Sequence, residues 1–281
     1  MNISVANQRI LILKEQFTQK EAEGKAFEKK LDAFGALNKL TSFLSKPKDD
    51  DFELVYKEHR YQPFWHVACK ARYVYDRNSN YQIATTGAEV QSVTMLKSDF
   101  EATNNHIHVS VVEHCKQEMQ EEAIVGGVSG EKRPAYTRYL TQQVKEVKDK
   151  TIDSEVAKGA ILVPPQVRVS ALMREMLSHM IKGIQADKIF EEHVEVTYVD
   201  LYYRPVFAFK YKWKSKGKEA IVEVDGVTGE VTSGNRTFQE YVGKVLDRDF
   251  LFDVGADAAG MFIPGGSIAV KVAKKVIDRK K

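Results

Sequence analysis

Residues 193–231 read HVEVTYVDLYYRPVFAFKYKWKSKGKEAIVEVDGVTGEV, and this stretch decides the fold. Aromatic residues at positions 207, 209, 211 and 213 alternate with lysines at 210, 212 and 214, and a period of two places them on opposite faces of a strand. Glycines at 217, 226 and 229 supply turns. The stretch therefore predicts four antiparallel strands with an aromatic core face and a solvated lysine face. The alternative is a basic sheet surface that contacts phosphates or an acidic partner.

An earlier stretch, residues 52–75, repeats this order. Tyr61-Gln-Pro63 matches Tyr203-Arg-Pro205 at an offset of 142 residues, and a glutamate, a tyrosine and a lysine recur at the same offset. Each stretch follows an amphipathic helical pattern, over residues 16–45 and over residues 169–184. Proline in a strand belongs at a start, a bend or an edge, so each Tyr-x-Pro predicts a corner. The sequence predicts an α+β fold of two related helix-plus-antiparallel-sheet halves.

The end of the second copy carries a recognisable hairpin motif. It consists of Asp225, Thr228, Gly229, Glu230 and Val231. Together with the preceding helix and aromatic strand, residues 166–233 resemble a PepSY-like module, and residues 25–75 resemble a diverged second copy without the hairpin motif. The resemblance implies a helix packed on a small antiparallel sheet and a role in binding or inhibition. It implies no catalytic residue.

The C-terminal segment, residues 246–281, is predicted to form a helical hairpin with a basic end. Small residues four apart, such as Gly255 and Ala259, allow close helix approach, and Pro264 separates the two arms. The second arm predicts an amphipathic helix that either packs against the sheets or docks on an anionic membrane surface or a partner. Its predicted membrane- or partner-binding residues are Ile268, Lys271, Val272, Lys274, Lys275 and Val276.

The predicted organisation has five parts. They are an N-terminal helical segment (1–50), a first β-rich half (51–130), a helical connection (131–165), a PepSY-like second half (166–245) and the C-terminal hairpin (246–281).

Composition narrows the class of protein. The chain has 281 residues, 43% of them hydrophobic and 29% charged, which is typical of a globular protein rather than a disordered one. The net charge is only +3, so nucleic-acid binding is the third hypothesis. Two cysteines, no signal-peptide pattern at the N-terminus and no apolar run of about 18 residues predict a cytoplasmic location, with the inner face of the membrane as a second one.

Histidines and cysteines of the first β region are the candidate catalytic residues: His66, His106, His108 and Cys115. His106 and His108 share a face of a strand, whereas Cys115 follows a histidine whose side chain points the other way. No Cys-x-x-Cys or His-x-x-x-His pattern occurs, so no metal site and no cofactor are predicted. The glycines at 126, 127 and 130 do not complete a phosphate-binding loop and are interpreted as structural.

Two hypotheses about function follow. The first is a non-catalytic cytosolic binding or assembly protein, recruited by its tail to a membrane surface or a larger complex, with a protein partner or a second copy of the chain. The alternative is an enzyme with a His- and Cys-containing site in the cleft between the halves, because pockets favour such interfaces.

Overall fold

The structure is a computed structural model that describes residues 1–35, 47–181, 183–234 and 271–274. Strands dominate the described residues. The helices are α1 (Gln19–Ala33), α2 (Ile152–Glu155) and α3 (Val169–Met180). The strands are β1 (Asn2–Val5), β2 (Arg9–Leu13), β3 (Phe52–Ala84), β4 (Ser92–Met95), β5 (Ser98–Thr103), β6 (His106–Gly126), β7 (Val144–Val147), β8 (Ile161–Leu162), β9 (Lys188–Trp213), β10 (Lys218–Asp225), β11 (Val231–Gly234) and β12 (Lys271–Lys274).

One mixed sheet joins the two β regions. Its main path runs β11-β10-β9-β3-β6-β5-β4, with β1 and β2 parallel to β9 and β8 parallel to β3. The prediction of an α+β protein with two helix-plus-sheet halves is therefore wrong, since the protein is mostly β and its two longest strands are antiparallel neighbours. The two Tyr-x-Pro segments lie directly opposite each other, with Tyr61 paired to Pro205 and Pro63 paired to Tyr203. A sequence repeat cannot distinguish this arrangement from two separate sheets.

Each of the two long helices packs on strands of the other β region rather than on the strand that follows it in the chain. The helix α1 begins at the capping box formed by Thr18 and Glu21, and its Ala22 and Ala26 pack against β9 and β10. The helix α3, predicted after the two prolines and confirmed, packs on β3 and β6 through residues such as Met173 and Met176. Each helix thus covers strands of the other β region.

The turns after β6 and β10 are equivalent. Residues 126–131 read GGVSGE and residues 225–230 read DGVTGE, an offset of 99 residues. The Gly130 N–H bonds the carbonyl of residue 126 at 2.9 Å, and the Gly229 N–H bonds that of residue 225 at 2.8 Å. The first β region therefore has a turn of the same backbone geometry, with Gly126 and Ser129 in place of Asp225 and Thr228 of the motif. The chain between the Tyr-x-Pro segment and the turn is 43 residues longer in the first β region than in the second. The offset between the two regions therefore falls from 142 at the prolines to 99 at the turns.

These additional residues form a β-arm. We define the arm as Arg77–Ala84 of β3, His106–Glu113 of β6 and the tip between them, which contains β4 and β5. Pairing between β9 and β3 ends at Lys188 and Asp76, so the arm continues beyond the sheet as a two-stranded ribbon. Tight turns at residues 96–97 and 104–105 have positive φ angles.

Residues 131–165 contain short helical turns together with β7 and β8.

The prediction of a C-terminal helical hairpin is wrong where the chain is described, because Lys271–Lys274 form β12, parallel to β1. Its apolar positions 268, 272 and 276 are four apart, and four residues also separate positions on one face of a strand, so the spacing fits both structures. Ile268, Lys275 and Val276 lie outside the described residues. In the described part of the chain, no helix combines the length and the apolar character needed to cross a membrane.

Candidate ligand-binding site

The sheet face opposite the helices carries a cavity of about 590 Å³. Two of the residues that line it, Arg9 and His66, belong to one row of directly paired positions, in which Arg9 of β2 is opposite Asp200 of β9, and Asp200 is opposite His66 of β3. Glu122 of β6 approaches the same row from two positions along the neighbouring strand. Alternation places the three paired residues on one face, away from the helices. We call this cavity the His66 cavity.

Opposite charges meet along this row. Arg9 binds Asp200 through two hydrogen bonds, from Nε to Oδ1 at 2.9 Å and from Nη2 to Oδ2 at 2.5 Å. The His66 Nε2 lies 2.7 Å from the Glu122 carboxylate, and its Nδ1 lies 3.9 Å from Oδ2 of Asp200, which is too long for a hydrogen bond. Exposure increases outward, because Asp200 is 1% exposed and the Glu122 side chain is 54% exposed. The row therefore connects a buried carboxylate to solvent.

The buried Asp200 remains ionised. Burial by itself raises the pKa of Asp200, but the neighbouring His66 and Arg9 lower it by more, so the net pKa lies below the usual aspartate range. The same hydrogen bond to Asp200 raises the pKa of Arg9, against the effect of burial. The pair is thus a charged pair at neutral pH.

Aromatic rings form the walls of the cavity. The His66 ring lies 5.1 Å from the Tyr198 ring and 6.3 Å from the Tyr202 ring, measured between centroids. Tyr202 in turn stacks on Phe64 at 5.0 Å, so the cavity continues into the hydrophobic cluster on this face. Leu140 adds an aliphatic surface. The cavity therefore combines a charged row with apolar walls.

A β-bulge in β9 shapes the floor. Ala68 pairs with Tyr198 and Cys69 pairs with Val196, which leaves Thr197 as the additional residue. The Thr197 hydroxyl donates to the Ala68 carbonyl at 3.2 Å. Bulges redirect side chains and are frequent beside functional sites. Here the bulge lies at the cavity itself, since Ala68, Thr197 and Tyr198 all line it.

Only one candidate catalytic residue lies in this cavity. His66 is opposite Ile124, whereas Cys115, His108 and His106 lie 9, 16 and 18 residues further along β6. At about 3.3 Å per residue, these distances along the strand are about 30, 53 and 59 Å. The four candidates therefore do not converge. Among the described residues, no group of three or more histidine, cysteine, aspartate or glutamate side chains could hold a metal ion.

Cys69 borders the cavity but is not an activated thiol. Burial, with a smaller contribution from Glu121, raises its pKa to about 12. A thiol with this pKa is protonated at neutral pH and is a weak nucleophile. The chemistry of the cavity therefore depends on its charged and aromatic side chains.

A second polar cluster lies on the same face, around Arg204 and Asp225. The Asp225 carboxylate accepts hydrogen bonds from Arg204 at 2.6 Å and from the Tyr139 hydroxyl at 2.5 Å. Its other oxygen accepts the backbone N–H groups of Val227 and Thr228, at 2.9 and 2.8 Å. A cavity of about 320 Å³ adjoins this cluster. The satisfied carboxylate indicates a structural role in the turn.

Sequence reasoning missed Arg9, Asp200 and Glu122. One signal was present, because Asp200 interrupts an otherwise apolar run, VDLYY, at a position that alternation assigns to a buried face. A carboxylate at such a position requires a partner. The identity of the partner depends on the register of β2 against β9, which the sequence pattern does not specify.

Comparisons with family models, with curated proteins and with solved structures found no match. The resemblance to PepSY-like modules stays a prediction.

Proposed function

We propose that this protein is a non-catalytic binding protein that holds a small zwitterionic ligand in the His66 cavity. The observation that carries the proposal is the order of charges across four strands, with Arg9 at one end, Glu122 at the other end and the buried His66 between them. A guanidinium has five N–H donors, and Asp200 uses two of those on Arg9.

The cytoplasmic location expected from the sequence stays a prediction.

The ligand chemistry follows from the two ends. Glu122 on the β6 side suits an ammonium group, whereas Arg9 at the other end of the row suits a carboxylate. The rings of Tyr198 and Tyr202 and the side chain of Leu140 provide surface for an apolar substituent. A free amino acid with an apolar side chain, or the equivalent end group of a short peptide, has this combination.

Titrations with three related probes test the proposal. Leucine carries both charges, leucinamide only the positive one and N-acetyl-leucine only the negative one. We expect saturable NMR shifts of the His66 ring with leucine and binding at least about tenfold weaker with the other two, because each loses one charge-assisted contact. Equal responses to all three, or no response to leucine, would contradict the proposal.

A matched pair of variants assigns the binding to this cavity. Glu122→Gln removes the carboxylate at the cavity, whereas Glu118→Gln removes an exposed carboxylate on the same strand that does not line it. We expect leucine binding to weaken in the first variant and to remain unchanged in the second. The opposite pattern would place the site elsewhere.

An enzyme remains the second candidate because a buried histidine beside an ionised aspartate is suited to general-base catalysis. In that case His66 would accept a proton from water as the water attacks a ligand carbonyl. Leucinamide would then be hydrolysed to leucine and ammonia, and His66→Gln would abolish the reaction. Binding without ammonia release would favour the binding protein.

A further inference from the structure

Among the described residues, one edge of the β-arm has backbone groups that face no paired strand. β9 pairs with β3 up to Asp76, and beyond it the strand continues to Ala84 with β6 on its other side only. Within the described ranges, no strand pairs with the β9 side of β3 from Arg77 to Ala84. A two-stranded ribbon of this kind is only marginally stable in water by itself.

The contacts of Asp187 show which residues face this edge. Its N–H donates to the Asp76 carbonyl at 2.9 Å, and its carboxylate accepts the Asn78 N–H at 2.6 Å. Backbone groups of an antiparallel strand point alternately to its two sides. The N–H and C=O groups of Asn80, Gln82 and Ala84 therefore point to the β9 side.

The β3 edge of the arm has no charge that would oppose pairing with another chain. Asn78–Ala84 reads NSNYQIA and has no charged residue. The β6 segment that pairs with it, His106–Val112, reads HIHVSVV and is also uncharged, and the charged residues of β6 (Glu113, Lys116, Glu118, Glu121 and Glu122) begin at the base of the arm. Charged side chains protect an edge strand from pairing with another chain. The β3 edge lacks this protection, and on the β6 edge β5 already pairs with His106 and Ile107.

We propose that the β3 edge of the arm pairs antiparallel with the same edge of a second copy of this chain, with Gln82 opposite Gln82 of the second copy. Asn80 of each copy is then opposite Ala84 of the other. This register pairs the six edge-facing backbone groups of Asn80, Gln82 and Ala84 in each copy. The result is a continuous sheet through two arms.

The side chains favour the same register. Tyr81 and Ile83 are 49% and 42% exposed and lie on one face of the arm. With Gln82 at the twofold axis, Tyr81 of each copy is opposite Ile83 of the other, and aromatic–aliphatic cross-strand pairs stabilise a sheet. Because the segment has no charge, pairing it with itself brings no like charges together. A twofold contact of this kind also closes after two copies.

Sedimentation equilibrium of the full chain with a matched pair of variants tests the proposal. We expect a reversible dimer of twice 31.9 kDa for the unaltered chain. Gln82→Pro removes the central N–H donor from both copies, while the ladder to β6 persists, because proline is tolerated where its nitrogen faces a free edge. Loss of two hydrogen bonds should weaken the dimer about 30-fold. His108→Pro makes the same change directly opposite, on the β6 edge, and should leave the dimer unchanged.

A crosslink tests the register and does not depend on how well the proline variants fold. In a Cys115→Ser background, Gln82→Cys places two thiols at the twofold axis, where paired Cα atoms lie about 5.5 Å apart, within the range of a disulfide. We expect a disulfide-linked dimer after mild oxidation, and none from His108→Cys. Any of three results would overturn the proposal. The unaltered chain could be monomeric, Gln82→Pro could dimerise as strongly as the unaltered chain, or the two cysteine variants could crosslink equally.

Discussion

The turns at Gly127 and Gly226 have the same backbone bonds, but only the second contains a buried charge. Each glycine N–H donates to a proline carbonyl at 2.9 Å, that of Pro63 in the first turn and that of Pro205 in the second. Position 126, before the first glycine, is another glycine, whereas Asp225 precedes the second and binds Arg204. The shared proline–glycine contact therefore sets the backbone geometry without an ion pair.

The ion pair adds a connection that the first turn lacks. Asp225 also accepts the hydroxyl of Tyr139, which packs with Phe64 and Tyr202 on the sheet face of the His66 cavity. In the first turn, the position equivalent to Arg204 is occupied by Gln62, which is uncharged. The amide oxygen of Gln62 accepts a hydrogen bond from Arg204 itself. The second turn thus fixes the segment that covers the sheet, in addition to reversing the chain.

Substitution of Asp225 should have the largest effect. Asp225→Asn leaves the largely buried Arg204 without its counter-charge, and removal of one partner of a buried pair costs about 3–5 kcal/mol of the free energy of unfolding. Urea unfolding measures the loss. Glu230→Gln is the control, because its pair with Arg138 is half-exposed and contributes about 1 kcal/mol or less. Similar losses in the two variants would refute the difference between the turns.

Substitution of the two shared glycines should have a smaller effect that is equal in the two turns. A Cβ atom at residue 127 would lie 2.8 Å from Pro63, and one at residue 226 would lie 2.9 Å from Pro205. Gly127→Ala and Gly226→Ala should each cost about 1–3 kcal/mol, since backbone must move in both. Gly24→Ala in α1, where nothing lies within 4 Å, should instead increase stability by up to about 1 kcal/mol. A neutral Gly127→Ala would show that the turns are not equivalent.

The later glycines of the two turns separate backbone strain from crowding. Gly130 and Gly229 have φ angles of 74° and 70°, so alanine at either position costs about 1 kcal/mol. A Cβ atom at residue 229 would also lie 2.6 Å from the Phe17 ring, whereas the nearest atom at residue 130 is 3.5 Å away. Gly229→Ala should therefore lower the melting temperature more than Gly130→Ala. Equal shifts would indicate that the Phe17 ring moves aside without cost.

The sequence predicted the local features well and their spatial arrangement badly. Alternation at residues 207–213 and the spacing of α3 identified a strand and a helix, because both patterns report on nearest neighbours. The offset of 142 identified the matching Tyr-x-Pro segments. It could not show that they lie opposite each other, since the pairing of β3 with β9 is a long-range contact that either topology allows. The cavity depends on that pairing, so only His66 of its charged row was anticipated.

The pH dependence of the Asp225→Asn effect is the last and most specific test of the difference between the two turns. Burial by itself raises the pKa of Asp225, but Arg204, Tyr139 and the N–H groups of the turn lower it by more. The pKa of Asp225 in the folded protein is therefore below its value in the unfolded chain. A depressed pKa contributes stability that is complete above the unfolded pKa of about 3.9 and is lost as the pH falls through the folded pKa. The difference in unfolding free energy between the unaltered chain and Asp225→Asn should therefore be constant from about pH 5 to 7 and should shrink below about pH 4. If the difference already shrinks between pH 5 and 6, the pKa of Asp225 is raised, and the desolvation of this carboxylate outweighs its pairing with Arg204.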